Sequence, residues 1–388
     1  MRPDARVQAA VEVLDRWLSG ERLEVALTNW GRASRYAGSG DRLAVRDLCY
    51  TAARRRRSLA WIGGAESGRG LMLGLARLEA CETAWFSGLP HAPSPVQTGE
   101  GGRPLDEAPD PVRLDCPDWL WDAFGRDREQ VLTRFQDRAT VFLRVNLART
   151  DVQTAIEALA SDGISARPHP LARTALEVTD GARRIAGSQT YLNGLVELQD
   201  AASQAVVEML GVPRGIDVLD YCAGGGGKSL ALAALGAKVS AHDANPARMT
   251  DLCPRAKRAG TPVRILTGSP SGLWAVVFVD APCSGTGTWS RDPEAKWRLT
   301  SERLDAVIAL QARILGDAAS FVAPGGQLAY ATCSLLDAEN LHQAEKFVSE
   351  NKNFMLEQHR AISPLEGGDG FGISILRRNV SVNSTTLD

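Results

Sequence analysis

The chain has 388 residues, 44% of them hydrophobic, and a formal net charge of −2 at pH 7. That length suits two or three domains, and the near-neutral balance excludes a surface that is basic throughout and would bind nucleic acid on charge alone. No long uncharged apolar run is present, the opening Met1-Arg2-Pro3-Asp4-Ala5-Arg6 lacks the apolar core of a secretory signal, and the seven cysteines form no C-x-x-C pair. The sequence therefore predicts a reduced, cytoplasmic protein with no membrane span, no metal and no disulfide framework.

Charge is unevenly spread. Residues 1–60 hold twelve Arg against seven acidic residues, and Arg54-Arg55-Arg56-Arg57 is the densest part. Such a cluster either neutralises phosphates by releasing counterions or forms a solvated helix face in an Arg-rich chain, since only six of the 44 basic residues are Lys. Val7, Ala10, Val11, Leu14, Trp17 and Leu18 have helical spacing over 5–18. Asp41 is placed to cap a second helix carrying Leu43, Val45, Leu48 and Tyr50, and a third is predicted from Leu71 to Phe86. Residues 1–90 thus read as a small all-α domain. Residues 91–112 include His91-Ala92-Pro93-Ser94-Pro95 and Gly99-Glu100-Gly101-Gly102 and read as a linker or long surface loop. Residues 113–185 read as a small α+β subdomain: a short helical pair from Trp119 to Phe135, a strand at 141–146, a helix capped by Asp151, and a strand at 175–178.

The main domain is predicted over 186–378. Asp200 is a suitable N-cap for a helix from Ala201 to Leu210. Strands are predicted at 217–220, 238–242, 263–266, 274–279 and 326–331, alternating with helices at 228–235, 246–259, 301–322 and 338–350. A last strand is predicted at 373–376. The alternation predicts an α/β domain with a mostly parallel, doubly wound sheet covered on both faces. The polar stretch 379–388 is predicted to be a disordered tail.

Three of these strands end in chemistry, where open α/β sheets bind ligands. The first runs into Cys222-Ala223-Gly224-Gly225-Gly226-Gly227-Lys228. Consecutive glycines let backbone approach a ligand closely, and the following helix offers its N-terminal N–H groups. The P-loop pattern fails because Cys222 stands where its first Gly belongs, and the dinucleotide pattern fails because Ser229 or Leu230 stands at its third Gly. What remains is a glycine loop with a carboxylate, Asp243, after the next strand, which suits a ribose diol without a phosphate, as in S-adenosylmethionine. The second strand ends in Asp280-Ala281-Pro282-Cys283-Ser284-Gly285, and the third in Tyr330-Ala331-Thr332-Cys333-Ser334. Two thiols and a carboxylate are thereby delivered beside the loop. An isolated buried thiol is usually inert; two at strand ends beside a cofactor loop point to covalent chemistry.

These blocks resemble the signature motifs of the Sun/Fmu (RsmB-like) family of RNA cytosine carbon-5 methyltransferases. Gln199-Asp200-Ala201-Ala202-Ser203-Gln204, Arg291-Asp292-Pro293-Glu294-Ala295-Lys296-Trp297, Glu339-Asn340 and Gly368-Asp369-Gly370-Phe371 agree with it, and the similarity covers about 113–378. The N-terminal helices are similar to the NusB-like RNA-binding domain of bacterial members. The resemblance implies a Rossmann-like class I methyltransferase domain, S-adenosylmethionine as cofactor, and an RNA substrate. Small-subunit ribosomal RNA is the substrate expected from the NusB-like part. Transfer RNA, or a role as an RNA-binding assembly factor without efficient turnover, is the alternative.

By the same resemblance Cys333 is the nucleophile that adds to carbon 6 of cytosine, Cys283 assists product release, and Asp280 meets the cytosine edge or the cofactor's amino group. The residues alone leave the thiols unranked, since DNA cytosine methyltransferases use the cysteine of a Pro-Cys pair, here Cys283. Cofactor binding is expected from Cys222, Ala223, Gly224, Gly225, Gly226, Gly227, Lys228, Asp243 and Asp280. RNA contacts are expected from Arg54, Arg55, Arg56, Arg57, Arg144 and Lys296, with structural roles as the alternative for each. Two departures from the family pattern stand in the sequence. Leu266-Thr267-Gly268-Ser269-Pro270 has no acid after the third strand, where members place an Asp near adenine, and the glycine loop lacks the usual proline.

Overall fold

A computed structural model of the protein describes residues 1–380. The chain divides into two compact units: Met1–Ala139 with Trp289–Arg298, and Thr140–Thr288 with Leu299 onward.

The first unit is all helical. Its principal helices are Pro3–Leu18, Leu23–Ala33, Ser39–Arg54, Arg56–Gly63, Gly68–Leu78 and Arg128–Phe135. The apolar stripe expected on the first helix is buried at Val7, Ala10, Leu14 and Trp17, and Asp41 returns to the Gly38 N–H at 3.1 Å at the start of the third. Residues 91–112, expected as a linker, lie inside this unit because arginines tie them down. Arg69 pairs with Glu100 and donates to the Ser94 and Pro95 carbonyls, and Arg77 donates to the Glu100 carbonyl. The division between units falls at 139/140 rather than before 113. Asp115 accepts from Ser58 Oγ at 2.8 Å and Asp118 pairs with Arg57, which ties 113–139 to the helices, and Trp289, fully buried, packs its ring centroid 5.4 Å from Phe124 and 5.7 Å from Phe135.

The second unit carries two sheets. Strands β1 (Phe142–Val145), β2 (Ser165–Pro168), β3 (Ala175–Asp180) and β4 (Val196–Leu198) form an antiparallel sheet in the order β2-β3-β1-β4. Asp151 caps the helix Val152–Ser161 through the Thr154 N–H, and Asp200 caps Ala201–Met209 through the Ala202 N–H, both as expected.

The larger sheet has seven strands: β5 (Asp217–Asp220), β6 (Lys238–Ala241), β7 (Val263–Ile265), β8 (Trp274–Asp280), β9 (Val322–Thr332), β10 (Phe354–Ile362) and β11 (Phe371–Arg378). Their order is β10-β11-β9-β8-β5-β6-β7, parallel from β9 to β7, with β10 and β11 antiparallel at one edge. Val218, Leu219, Val277, Phe278, Leu328 and Ala329 are all buried. Neighbouring positions on each strand face opposite sides, so both faces of the sheet are covered. The chain moves outward one way through β5, β6 and β7, and the other way through β8 and β9. The resulting switch point between β5 and β8 is where such sheets open a crevice.

Candidate active site

The ends of β5, β8 and β9 supply the site, and each loop is held by side chains that the sequence pattern alone does not connect. After β5, the Gly224 N–H donates to Asp243 Oδ2 at 2.9 Å, and the Asn245 N–H donates to its Oδ1 at 2.9 Å. Arg248 pairs with the same carboxylate at 3.3 Å. Gly226 has φ +77°, and a Cβ there would lie 2.1 Å from Leu252 Cδ1, so only glycine fits before the helix Gly227–Ala234. Two arginines, one buried and one half-buried, tie down the loop carbonyls. Arg144 donates to Gly227 O at 2.7 Å and to Gln199 Oε1 at 2.5 Å, while Arg255 donates to Gly225 O. Glu197 balances them, paired with Arg255 and Arg258. Asp220 is buried, accepts from Ser229 Oγ at 2.5 Å, and has its other oxygen without a partner; burial pushes its pKa up to about 7.

The two thiols meet. Cys283 Sγ lies 3.3 Å from Cys333 Sγ. The hydrogen bond with Cys333, and then burial, hold the Cys283 thiol well above the usual thiol range. Lys228 Nζ donates to Asp280 Oδ2 at 2.7 Å and sits 4.9 Å over the Phe371 ring. Burial opposes the ammonium charge, but Asp280 outweighs it, with charge on Cys333 adding to the effect, so the Lys228 pKa is raised. Burial raises the Cys222 thiol out of its reactive range.

The largest element that motif reading missed as a working part is Glu339. It is fully buried, and each of its oxygens takes two donors. Oε1 accepts from the Ser284 N–H at 2.8 Å and from Gln311 Nε2 at 3.0 Å; Oε2 accepts from the Ser284 and Ser334 hydroxyls. Gln311 also donates to the Pro282 carbonyl at 3.0 Å. One carboxylate thus clamps both cysteine loops. Thr286 Oγ1 and Asn340 add to the clamp. The former contacts Ser334 Oγ at 3.0 Å and accepts from the Leu335 N–H, and the latter donates to Ser334 O at 2.8 Å. The signal was present as a repeat: both cysteines are followed by serine, and both serines find the same acid.

The predicted site residues therefore separate into groups. The glycine loop with Asp243, the Lys228–Asp280 pair, and the two thiols stand at neighbouring strand ends. The RNA-contact expectation is corrected for Arg54, Arg144 and Lys296, whose side chains are buried and spent on protein carbonyls. Arg54 Nε donates to Ser290 O at 2.9 Å, and Lys296 Nζ donates to Arg54 O at 3.1 Å. Burial lowers Lys296 to about 8 and Arg144 to about 10. Arg55, Arg56 and Arg57 are half-buried and paired with Asp137, Glu66 and Asp118, so the cluster is not a plain solvated face. Among the described residues no group of His, Cys, Asp and Glu could hold a metal, and no helix is long and apolar enough to cross a membrane.

Residues 209–378 match the family model described as 16S rRNA methyltransferase RsmB/F, and residues 116–183 match the ferredoxin-like domain of RsmF/B-like methyltransferases. Residues 209–378 are thus similar to the RsmB/F methyltransferase family. A Cronobacter sakazakii protein named ribosomal RNA small subunit methyltransferase B is 31% identical over 277 residues, 66% of this chain and 64% of that protein. A Yersinia pseudotuberculosis protein of the same name is 29% identical over 279 residues, with the same coverage. The chain thus spans about 64% of the length of these RsmB relatives. In fold, the crystal structure of PH0851 is similar over 97% of this chain and 99% of its own, with a TM-score of 0.74 at 21% identity. A methyltransferase homolog from Pyrococcus horikoshii is similar over 71% of this chain and 98% of its own, with a TM-score of 0.60 at 23% identity. A Rossmann-like methyltransferase sheet is therefore the frame in which the thiol pair sits.

Proposed function

We propose that the protein is an S-adenosylmethionine-dependent RNA cytosine-5 methyltransferase acting on small-subunit ribosomal RNA, through a covalent bond between Cys333 and carbon 6 of the target cytosine. The observation that carries this reading is the 3.3 Å thiol pair beside the Lys228–Asp280 ion pair. The naming of the curated relatives as ribosomal RNA small subunit methyltransferase B supports the substrate class. The helical first unit is read as an RNA-binding NusB-like domain, and the protein as cytoplasmic.

The residues present fit the cofactor. A Cβ built at Gly225 or Gly227 meets only side-chain nitrogens at 3.3 Å or beyond, so the loop face leaves room for a ligand. Asp243 keeps its carboxylate at the end of β6, where a ribose diol would meet it, with Gly224 and Asn245 orienting it. The stretch after β7, Leu266 to Pro270, brings no acid to the adenine, and Ser269 is exposed there. S-adenosylmethionine, when bound, supplies the electrophilic methyl group that carbon 5 of cytosine takes up.

The chain's own groups do the rest. The Cys333 thiolate forms a bond to carbon 6 and pushes electron density toward carbon 5. Lys228 is the cation beside this event, and Asp280 orients it while leaving carboxylate surface for the base edge. Cys283, held protonated by its neighbour and by burial, is the poorer nucleophile; in the release step carbon 5 gives its proton to a solvent base, the carbon–sulfur bond breaks, and the Cys283 S–H donates to the departing Cys333 thiolate. The target base must leave any duplex to reach the thiols.

The test uses Cys283→Ala and Cys333→Ala proteins with S-adenosylmethionine and small-subunit RNA. An adduct that survives denaturation is expected with Cys283→Ala and absent with Cys333→Ala. The reverse pattern would exchange the two roles. No adduct in either variant, with no methyl transfer by wild type on ribosomal or transfer RNA, would overturn the reading in favour of an RNA-binding assembly factor.

A further inference from the structure

The first unit contains a cavity of about 670 Å³ whose lining joins two stretches far apart in sequence. One face is the helix Arg56–Gly63, which contributes Arg56, Arg57 and Trp61; the other is the glycine turn that leads into Arg103. Trp297 also borders it, and Glu66 and Asp118 are the carboxylates in the lining.

The three guanidinium groups are held differently. Arg56 is bonded to Glu66 and lies 5.4 Å from the Trp17 ring centroid and 5.5 Å from that of Trp297. Arg57 makes a two-pronged pair with Asp118, at 2.8 and 2.9 Å. Arg103 has no ion-pair partner among the described residues. It is exposed and lies 3.9 Å over the Trp61 ring, and its own N–H donates to Trp61 O at 3.1 Å. The indole is fixed in turn, its Nε1 donating to Pro104 O at 3.0 Å.

A planar cation laid on a fixed indole, with solvent on its other side, offers two things at once. It is a stacking surface for another planar group, and it is a bidentate donor for an oxyanion. An acidic peptide would use only the second. A nucleotide uses both, because bases of unpaired RNA stack on Arg planes and aromatic rings while phosphates take guanidinium N–H groups.

We propose that this cavity binds an unpaired nucleotide of single-stranded RNA, its base on the Arg103–Trp61 stack and its phosphate at the guanidinium edge of Arg103. The inference rests on RNA as the ligand class of the protein and adds a site apart from the thiols. Recognition there is tolerant of base identity, since every base has a stacking face.

A short fluorescein-labelled oligouridylate tests it by fluorescence anisotropy with the full-length protein across a salt series. The probe has no cytosine, so its binding owes nothing to the methyl-transfer chemistry. Arg103→Ala is expected to weaken binding about tenfold and to lower the salt slope by about one. Arg103→Lys restores the slope but not the full affinity, because the ammonium carries charge without a plane. Trp61→Phe keeps a ring and stays close to wild type, whereas Trp61→Ala loses affinity; circular dichroism checks that each variant is folded. Wild-type affinity in both Arg103→Ala and Trp61→Ala would overturn the proposal and leave the cavity to a protein partner. The adduct assay on cytosine-containing RNA is run on the same proteins. Oligouridylate binding that depends on Arg103, with no methyl transfer by the wild type and no adduct in Cys283→Ala, would sink the methyl-transfer reading and leave this one standing.

Discussion

At the scale of single residues, Glu339 and Asp220 carry the sharpest consequences. Each oxygen of Glu339 accepts two donors, so an amide in its place must point N–H groups at hydroxyls or N–H groups already donating. Glu339→Gln is therefore expected to cost about 1–3 kcal/mol in urea unfolding. The adduct rate is expected to fall at least about tenfold while S-adenosylmethionine affinity, measured calorimetrically, holds. A fall in cofactor affinity with an unchanged adduct rate would remove Glu339 as the part that positions the thiols. Asp220 gives a pH signature. Its folded pKa is raised by burial to about 7, so the folded state keeps a proton that the unfolded chain has released above about pH 4. Its contribution to stability is full at low pH and is lost as pH rises through 7. Asp220→Asn stays neutral throughout. Its stability relative to wild type should grow between pH 4 and pH 7 and level off above, which urea melts at pH 5 and pH 8 will read.

At the scale of elements, the strands that position the site were legible and the edges were not. β5, β6, β8 and β9 are short apolar runs ending in marked residues, so their C-terminal ends could be placed from sequence alone. β10 escaped because its alternation is broken by a bulge between Leu356 and Gln358 and much of it is exposed. β2 was missed because Ser165-Ala166-Arg167-Pro168 is largely exposed and carries no apolar run, and β4 because Glu197 interrupts its three residues. The helices Leu23–Ala33 and Arg56–Gly63 were missed for another reason. Neither has a side-chain cap, and the second is masked by the charge of its own first turn. Loop conformation was legible where glycine is obligatory. Gly226→Ala must place a Cβ against Leu252 and hold a non-glycine residue at φ +77°. It is expected to cost about 1–3 kcal/mol and to weaken S-adenosylmethionine binding, read by calorimetry against a thermal melt. Unchanged affinity and melting temperature would mean that the loop adapts.

For the whole molecule, what the sequence hid was ownership. Motif reading assigns Arg291 to Trp297 to the methyltransferase domain, because the block lies between two of its strands. Packing assigns Trp289–Arg298 to the helical unit, where Trp289 and Lys296 are buried. Lys296 lies close enough to feel the charge of Asp115, a fully buried acid raised by burial, and burial lowers the lysine in turn. No periodicity in the sequence links those two residues, which stand 181 positions apart. A fragment of residues 1–139 alone therefore lacks a tryptophan and a cation from its core. It should melt well below the same fragment supplied with a peptide covering 287–300, as followed by circular dichroism. Equal melting with and without peptide would make the segment an ornament on a complete domain.

The same shared segment sets the order in which the protein can be finished. Ribosomes add about 5–20 residues per second, so on the order of ten to thirty seconds separate the synthesis of residue 139 from that of residue 298. Through that interval the first 139 residues are made but the helical unit is incomplete, and the strands β1 to β8 are being added. The part of the chain that is born first can close only after most of the second unit has been made.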